Sequence, residues 1–150
     1  MSVRRAAEGD GPAISTIVQR AFSHYVPRIG RRPGPMDLDY AALVGRGEAF
    51  VRGEPIEAAL VARPQDDHLF VSVIAVEPGR QGRGAGRELM AFAEAEAARR
   101  GLTELRLHTH VRMTENVGFY THLGYEIHEQ RSENGFQRVY LRKRLRSRPR

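Results

Sequence analysis

An apolar run that passes directly into a loop of glycines and arginines is the feature that most constrains this chain. The run LFVSVIAV, residues 69–76, is rich in β-branched and aromatic residues and predicts a central strand covered on both faces. It leads into EPGRQGRGAGRELM, residues 77–90, where a helix is predicted from about Gly84 to Arg100. The N–H groups that open a helix lack partners within it and carry partial positive charge. The sequence therefore predicts an anion site between this strand and this helix.

The predicted ligand of the loop is a phosphate or a diphosphate. Glycine lets a backbone approach an anion closely and adopt dihedral angles that other residues avoid. Arginine side chains beside the glycines can reach the outer oxygens. The loop does not match the dinucleotide pattern GxGxxG, and no Lys follows its glycines as a P-loop requires. The residues concerned are Gly82, Gly84, Gly86, Arg80, Arg83 and Arg87.

The pattern of the whole chain predicts a single domain over residues 1–150. A length of 150 residues with 41% hydrophobic residues suits one core. Helical spacing predicts a helix that begins after Asp10 and ends near His24, and the Pro- and Gly-rich segment 24–40 predicts a long loop. Further elements are predicted as strands at 49–52, 56–62 and 105–110, a short helix from Thr114, and a final hairpin turning at Asn134 and Gly135. This order indicates an α/β (α+β) fold with helices on the faces of a mixed sheet.

Composition narrows the classes of function. The formal charge of +6 comes from residues 142–150, which hold six of the 24 basic residues and no acidic one, so we expect a frayed basic tail. A contact of this tail with nucleic acid or a membrane is the less favoured alternative. The sequence contains no Cys, which excludes a cysteine thiolate as a nucleophile or metal ligand. No segment has the roughly 20 apolar residues of a membrane span, and we expect a soluble, cytoplasmic protein.

Two motifs together carry a family resemblance. QxxGxG is present at Gln81, Gly84 and Gly86, preceded by IAVEP, and FYTHLGY follows at residues 119–125. The chain resembles the GCN5-related N-acetyltransferase (GNAT) superfamily along almost its whole length. The resemblance implies a mixed, mostly antiparallel sheet flanked by helices, acetyl-CoA as cosubstrate, and acetyl transfer to an amine. It also implies a possible homodimer.

The resemblance assigns cofactor contacts to two neighbouring segments. It implies that the backbone of Ile74, Ala75 and Val76 binds the pantetheine arm, with an N–H near Val76 polarising the thioester carbonyl. It further implies that the loop cradles the diphosphate through Gln81, Gly82, Arg83, Gly84, Ala85, Gly86 and Arg87. Many relatives carry an Asn seven residues before a conserved Tyr, where this chain has Met113. Asn116 is therefore a cofactor contact or a plain helix-surface residue.

Proton transfer needs an acid and a base. Tyr120 is predicted as the acid that protonates the departing sulfur, because a phenol with an ordinary pKa of about 10 can donate to a thiolate. The alternative is a packing role.

Some relatives use a strand Glu as the base, but no carboxylate lies between Leu69 and Val76. His108 or His110 is the candidate base, and solvated or structural histidines are the alternative. The HxH pair lacks an evident third metal ligand, so no metal is predicted.

The resemblance implies that the acceptor binds at the loop 24–36, since relatives build the acceptor side from this region. Tyr25, Arg28 and Met36 are candidate lining residues, and Arg28 suits a carboxylate through a forked pair. A proline-stiffened connector is the alternative. The predicted function is acetyl transfer to a primary amine of a small molecule or peptide. Alternatives are a protein N-terminal acetyltransferase and a non-catalytic acyl-CoA-binding module.

Overall fold

The structure, a computed structural model, describes residues 2–145 and contains seven strands and five α-helices in that range. Two short 3-10 turns, Gly34–Asp37 and Pro78–Arg80, complete the described regular structure. The strands are β1 (Val3–Arg5), β2 (Ala49–Arg52), β3 (Ala58–Gln65), β4 (His68–Val76), β5 (Glu104–His110), β6 (Glu126–Glu133) and β7 (Phe136–Arg144). The helices are α1 (Gly11–Phe22), α2 (Tyr25–Ile29), α3 (Tyr40–Gly45), α4 (Ala85–Arg99) and α5 (Thr114–His122).

The strands form one seven-stranded sheet in the order β1-β2-β3-β4-β5-β7-β6. It is mostly antiparallel, and β4 runs parallel to β5, with His68 opposite Glu104 and Val71 opposite Leu107. A parallel pair needs a crossover connection, and α4 provides it. The predicted mixed, mostly antiparallel sheet with flanking helices is confirmed. The chain divides into two compact units. Strands β3 and β4 and helix α4 each contribute residues to both of them.

The first unit comprises residues 2–62 and 72–92. Its strands β1, β2 and β3 are antiparallel neighbours, and Phe50 and Val51 of β2 are buried between the outer two. Helix α1 buries one apolar stripe, with Ile14 and Val18 fully inaccessible. Asp39 begins α3 by accepting a hydrogen bond from the Ala42 N–H at 3.1 Å. The core of this unit thus consists of apolar helix faces together with the antiparallel strands β1, β2 and β3.

The second unit comprises residues 63–71 and 93–145. Strand β7 pairs with both β5 and β6, so its alternate residues Val139 and Leu141 are buried. The β6–β7 turn has positive φ at Asn134 (51°) and Gly135 (81°), as a two-residue hairpin turn requires. Asn tolerates that conformation and Gly adopts it freely, which confirms the predicted hairpin.

One polar cluster ties the α5–β6 connection to α4. Lys143 donates to the Glu94 carboxylate at 3.0 Å and to the Leu123 carbonyl at 2.9 Å. The Tyr125 hydroxyl donates to the same carboxylate at 3.3 Å. Burial is the main cause that raises the pKa of Tyr125 well above its ordinary value. The connection after α5 is therefore fixed by an interior ion pair and its hydrogen bonds.

The structure corrects several boundaries. Strand β1 and helices α2 and α3 were not predicted, because each is too short for a periodic pattern, and the segment 24–40 predicted as a loop contains α2. The strand predicted at 56–62 is β3, Ala58–Gln65, which begins two residues later and ends three residues later than expected. Strand β4 is buried on one face only, and its alternate residues are half-buried. The predicted basic tail is also shorter than expected: residues 142–144 belong to β7, and residues 146–150 lie outside the described residues.

Leu141 and Ile127 lie directly opposite each other in β7 and β6, yet Leu141 is 0% exposed and Ile127 is 45% exposed. Leu141→Ala is expected to lower the free energy of unfolding by about 2–5 kcal/mol, because it leaves a cavity. Ile127→Ala serves as the matched control and should cost less than about 1 kcal/mol. Urea denaturation followed by circular dichroism measures both, and equal losses would contradict the burial described here.

Candidate active site

The glycine and arginine loop forms an open cradle at the start of α4. Gly82 and Gly84 have φ of 81° and 88°, a conformation that side chains with a Cβ rarely adopt. A Cβ added at either glycine would meet no heavy atom within 4 Å. The helix begins at Ala85, which is 3% exposed and anchors the loop in the core. The loop glycines thus adopt backbone angles that other residues avoid, as the sequence predicted, and the space in front of them is open.

The charged side chains of the loop suit an anion. Arg83 and Arg87 are exposed, and no carboxylate in residues 2–145 forms an ion pair with either. Arg80 lies 3.8 Å from the Glu57 carboxylate. Glu88 is the one acid in the first turn of α4, and Arg52 donates to it at 2.7 Å. This hydrogen bond holds the pKa of Glu88 below its ordinary value and offsets its charge.

Long-range contacts fix the path of the loop, and sequence reasoning missed them. The Glu77 N–H donates to the Glu57 carbonyl at 2.8 Å, and Arg20 of α1 donates to the Glu77 carboxylate at 2.7 Å. Gln81 returns to the end of β4 by donating to the Val76 carbonyl at 3.2 Å. Glu57 and Arg52 also form a close ion pair. No local pattern marks these residues, because their partners lie up to 57 positions away.

The end of β4 leads into this cradle. Ala75 is buried at 2% exposure, whereas Ile74 and Val76 are half-buried on the other face of the strand. The Val76 carbonyl is already occupied by Gln81. These three residues belong to the same compact unit as the loop. The structure thus brings together the predicted cofactor residues 74–76 and 81–87.

Tyr120 lies on α5 in the second unit. Its side chain is 7% exposed, and its ring packs against Phe119 and Tyr125 at centroid distances of 5.2 and 6.0 Å. Met113, just before α5, is buried and accepts from the Thr109 hydroxyl at 3.2 Å. The Asn116 amide lies 3.6 Å from the Met113 sulfur. Asn116 therefore points back to the position where many relatives carry their Asn.

His108 and His110 lie on the half-buried face of β5. The His108 ring packs between Phe70 at 5.5 Å and Tyr140 at 5.3 Å. Burial, followed by the positive charges of Arg138 and Arg63, lowers the pKa of His108 to about 4. His110 accepts from the Arg112 N–H through Nδ1 at 3.0 Å, and burial lowers its pKa as well. Both imidazoles are thus neutral near pH 7.

The predicted acceptor residues have different environments. Tyr25 opens α2, is 5% exposed, and stacks on His24 at 3.9 Å. Arg28 is exposed and lies over the Tyr25 ring at 5.1 Å. Met36 is buried, and its carbonyl accepts from Gln19 at 2.7 Å. Of the three, Arg28 is the one whose side chain is open to solvent.

Metal-ligating clusters and membrane-spanning helices are both lacking from the part of the chain that the structure describes. Residues 2–145 contain no group of three His, Asp or Glu side chains arranged to hold a metal ion. None of the helices in that range is both long and apolar enough to span a bilayer.

The fold and the loop define a class of protein, namely a mixed α/β domain with an open loop of glycines and arginines where its central strand meets a helix. The chain belongs to the acetyltransferase (GNAT) family, because the model of that family matches residues 13–125. The family predicted from the sequence is confirmed.

Individual relatives agree with this membership. Mouse N-alpha-acetyltransferase 80 is 42% identical over 65 residues, which are 43% of this chain and 19% of that protein. The chain thus spans about a fifth of the length of this relative. The PaiA N-acetyltransferase of Thermoplasma acidophilum, solved with coenzyme A, has a TM-score of 0.80, 12% identity, and coverage of 96% and 98% of the two chains. The ribosomal-protein-S18-alanine N-acetyltransferase of Escherichia coli has a TM-score of 0.78, 19% identity, and coverage of 99% and 96%. At these identities, the two structures show the fold alone.

The lowered pKa of His108 can be measured. We expect its imidazole to titrate with a midpoint near 4 in the folded protein, followed by NMR of the ring protons. The unfolded chain titrates near about 6.5, so this group contributes stability that is lost as pH falls from about 6.5 towards about 4. Arg138→Gln should raise the midpoint, because it removes a nearby positive charge. A midpoint at or above about 6.5 in the unchanged protein would contradict the burial of this ring.

Proposed function

We propose that this chain is an acetyl-CoA-dependent N-acetyltransferase that acts on the primary amine of a small molecule or a peptide. One observation carries the proposal: at the start of α4 the family domain presents an open loop with glycines of positive φ, and its exposed Arg83 and Arg87 form no ion pair with a carboxylate of residues 2–145. Free helix N–H groups, glycine backbone and guanidinium groups are what a diphosphate requires. Coenzyme A carries a diphosphate, and acetyl-CoA supplies the acetyl group as a thioester.

The cofactor residues have separate tasks in this proposal. The backbone from Gly82 to Arg87 binds the diphosphate, and the exposed guanidinium groups of Arg83 and Arg87 bind its outer oxygens. The backbone of residues 74–76 binds the pantetheine arm as an added strand would. A backbone N–H near Val76 is proposed to stabilise negative charge on the thioester oxygen. Asn116 and the Met113 sulfur beside it are proposed as a further contact with the arm.

Tyr120 acts as the general acid in the proposed reaction. Acetyl transfer breaks the bond between the acetyl carbon and sulfur while a new carbon–nitrogen bond forms to the amine. Tyr120 donates its phenolic proton to the departing sulfur. Its burial between two aromatic rings holds the hydroxyl in a fixed position and limits the access of water.

The amine must be neutral to attack, so a base has to remove its proton. His108 and His110 are both neutral near pH 7 because their pKa values are lowered, and a neutral imidazole has one ring nitrogen that can accept a proton. His108 is the stronger candidate, since the ring nitrogen of His110 already accepts from the Arg112 N–H. Arg28, Tyr25 and Met36 are proposed to shape the acceptor side, with Arg28 in direct contact.

The nearest alternative functions differ from the proposed one in the acceptor that they acetylate. A protein N-terminal acetyltransferase is the nearest alternative, because the mouse relative is an N-alpha-acetyltransferase. Turnover with a panel of peptides and a panel of small amines distinguishes the two. A non-catalytic acyl-CoA-binding module would bind acetyl-CoA and acetylate neither panel. A cytoplasmic location and a homodimer remain predictions from the sequence.

The diphosphate contact can be tested with two glycines at opposite ends of α4. Gly84 and Gly101 have φ of 88° and 73°, and a Cβ at either meets no heavy atom within 4 Å. Gly84→Ala and Gly101→Ala therefore impose similar backbone strain. We expect Gly84→Ala to weaken acetyl-CoA binding at least about tenfold, because the Cβ stands between the backbone and the anion. Gly101→Ala should leave the dissociation constant unchanged in calorimetric titration. If the two substitutions changed the dissociation constant equally, the loop would not be the binding site of the diphosphate.

The acid role of Tyr120 can be tested against Tyr125, its neighbour at 6.0 Å. Tyr120→Phe is expected to lower kcat by about 10²- to 10⁴-fold with little change in acetyl-CoA binding, because only the proton donor is lost. Tyr125→Phe removes a hydroxyl that donates to Glu94, so it should lower the melting temperature and leave kcat close to that of the unchanged protein. Thiol release measured for both variants gives the answer, and full activity of Tyr120→Phe would exclude this role.

A further inference from the structure

One face of the sheet in the second unit is lined by aromatic and cationic side chains around His108. Phe70 of β4 and Tyr140 of β7 flank the imidazole at 5.5 and 5.3 Å. Tyr140 lies directly opposite His108, and Arg138 lies directly opposite His110. All of these residues are half-buried, so their edges remain accessible to a ligand.

Most arginines on the strands of this unit are neutralised by a carboxylate. Arg106 pairs with Glu104 at 2.5 Å and Arg142 with Glu126 at 3.1 Å. Arg131 has close contacts to both Glu129 and Glu133, and Arg144 lies 3.7 Å from Glu104. Each positive charge is thus offset within its own strand or by a neighbour.

Arg63 and Arg138 are different. Neither forms an ion pair with a carboxylate of residues 2–145, although both are half-buried. The polar partner of Arg63 is the neutral amide of Gln65, once that amide is turned so that its oxygen accepts at 2.8 Å. A half-buried guanidinium without a counter-charge retains its capacity for a forked pair with a carboxylate.

Aromatic rings hold both guanidinium groups in place. Arg63 lies over Phe70 at 5.2 Å, and Arg138 lies over Phe136 at 5.4 Å. Arg138 is also directly opposite Arg131 in the β6–β7 register, an arrangement of like charges that costs stability. In the strand order β3-β4-β5-β7, Arg63 and Arg138 lie on either side of His108. Both charges are close enough to lower the pKa of that imidazole.

From this arrangement, we propose that the acceptor is an acidic amine whose carboxylate groups bind to Arg63 and Arg138, beside His108. The inference rests on the proposed acetyl transfer and specifies its substrate class. A carboxylate supplies the counter-charge that the protein withholds from these two arginines. The rings under the guanidinium groups fix their planes, so less side-chain entropy is lost when a carboxylate binds. A neutral or cationic amine would leave both charges uncompensated.

The experiment compares acceptors that differ only in one charge. Glutamate-containing peptides are matched with their glutamine counterparts, and amino acids with their carboxamides. The ratio of kcat/KM for the carboxylate to that for the amide is measured in the unchanged protein, Arg63→Gln, Arg138→Gln and Arg142→Gln. Arg142 is the matched control, because it shares the strand and face of Arg138 but is paired with Glu126. Melting temperatures verify that each variant is folded.

We expect the unchanged protein to favour the carboxylate at least about tenfold, as expected for a hydrogen-bonded ion pair. Arg63→Gln and Arg138→Gln should each lower the ratio severalfold, and the double variant should bring it near one. Arg142→Gln should retain the ratio. Equal turnover of carboxylate and amide, or an unchanged ratio in the double variant, would overturn the proposed acceptor class while acetyl transfer stands.

Calorimetric titration of the same pairs into the protein with coenzyme A makes the test independent of turnover. Tighter binding of the carboxylate member, if Arg138→Gln abolishes this preference, supports the acceptor site even where no amine is acetylated. In that case only the proposed acetyl transfer is contradicted. Equal binding of both members of each pair would overturn the site itself.

Discussion

The backbone at the start of α4 needs a negative partner, and much of the first unit is arranged around that need. Helix N–H groups without intrahelical acceptors combine with two glycines of positive φ and an open space in front of them. Arg52 offsets the acid in the first turn, and Glu57 anchors both Arg52 and the backbone of Glu77. The result is a cradle of positive charge in which the protein itself places no anion.

The second unit uses its charges in a different way. Its interior is stabilised by Lys143 and Glu94, which fix the connection after α5 next to Tyr120. Its half-buried face keeps His108 neutral through burial and through two arginines that lack counter-charges. In the proposed reaction, Tyr120 on α5 is the acid and the neutral imidazole of His108 on β5 is the base. The same two arginines give the face a preference for acidic ligands.

Sequence alone predicted the central features because they depend on local chemistry. The apolar run of β4, the glycines of the loop and the Asn134–Gly135 turn each impose their conformation through neighbouring residues. Strand β1 and helix α3 were missed because short elements form through tertiary contacts rather than through periodicity. The network of Glu57 was missed for the same reason, since its partners are distant in sequence.

The central claim is that the amides at the start of α4 bind the diphosphate of coenzyme A. The most direct measurement is a titration of the isotopically labelled protein with coenzyme A, followed by the shifts of its backbone amide resonances. The account predicts that the largest changes fall on residues 82–87, and that they shrink when the ligand is replaced by pantetheine, which lacks the diphosphate. Large changes confined to other residues, or equal changes with pantetheine, would contradict it.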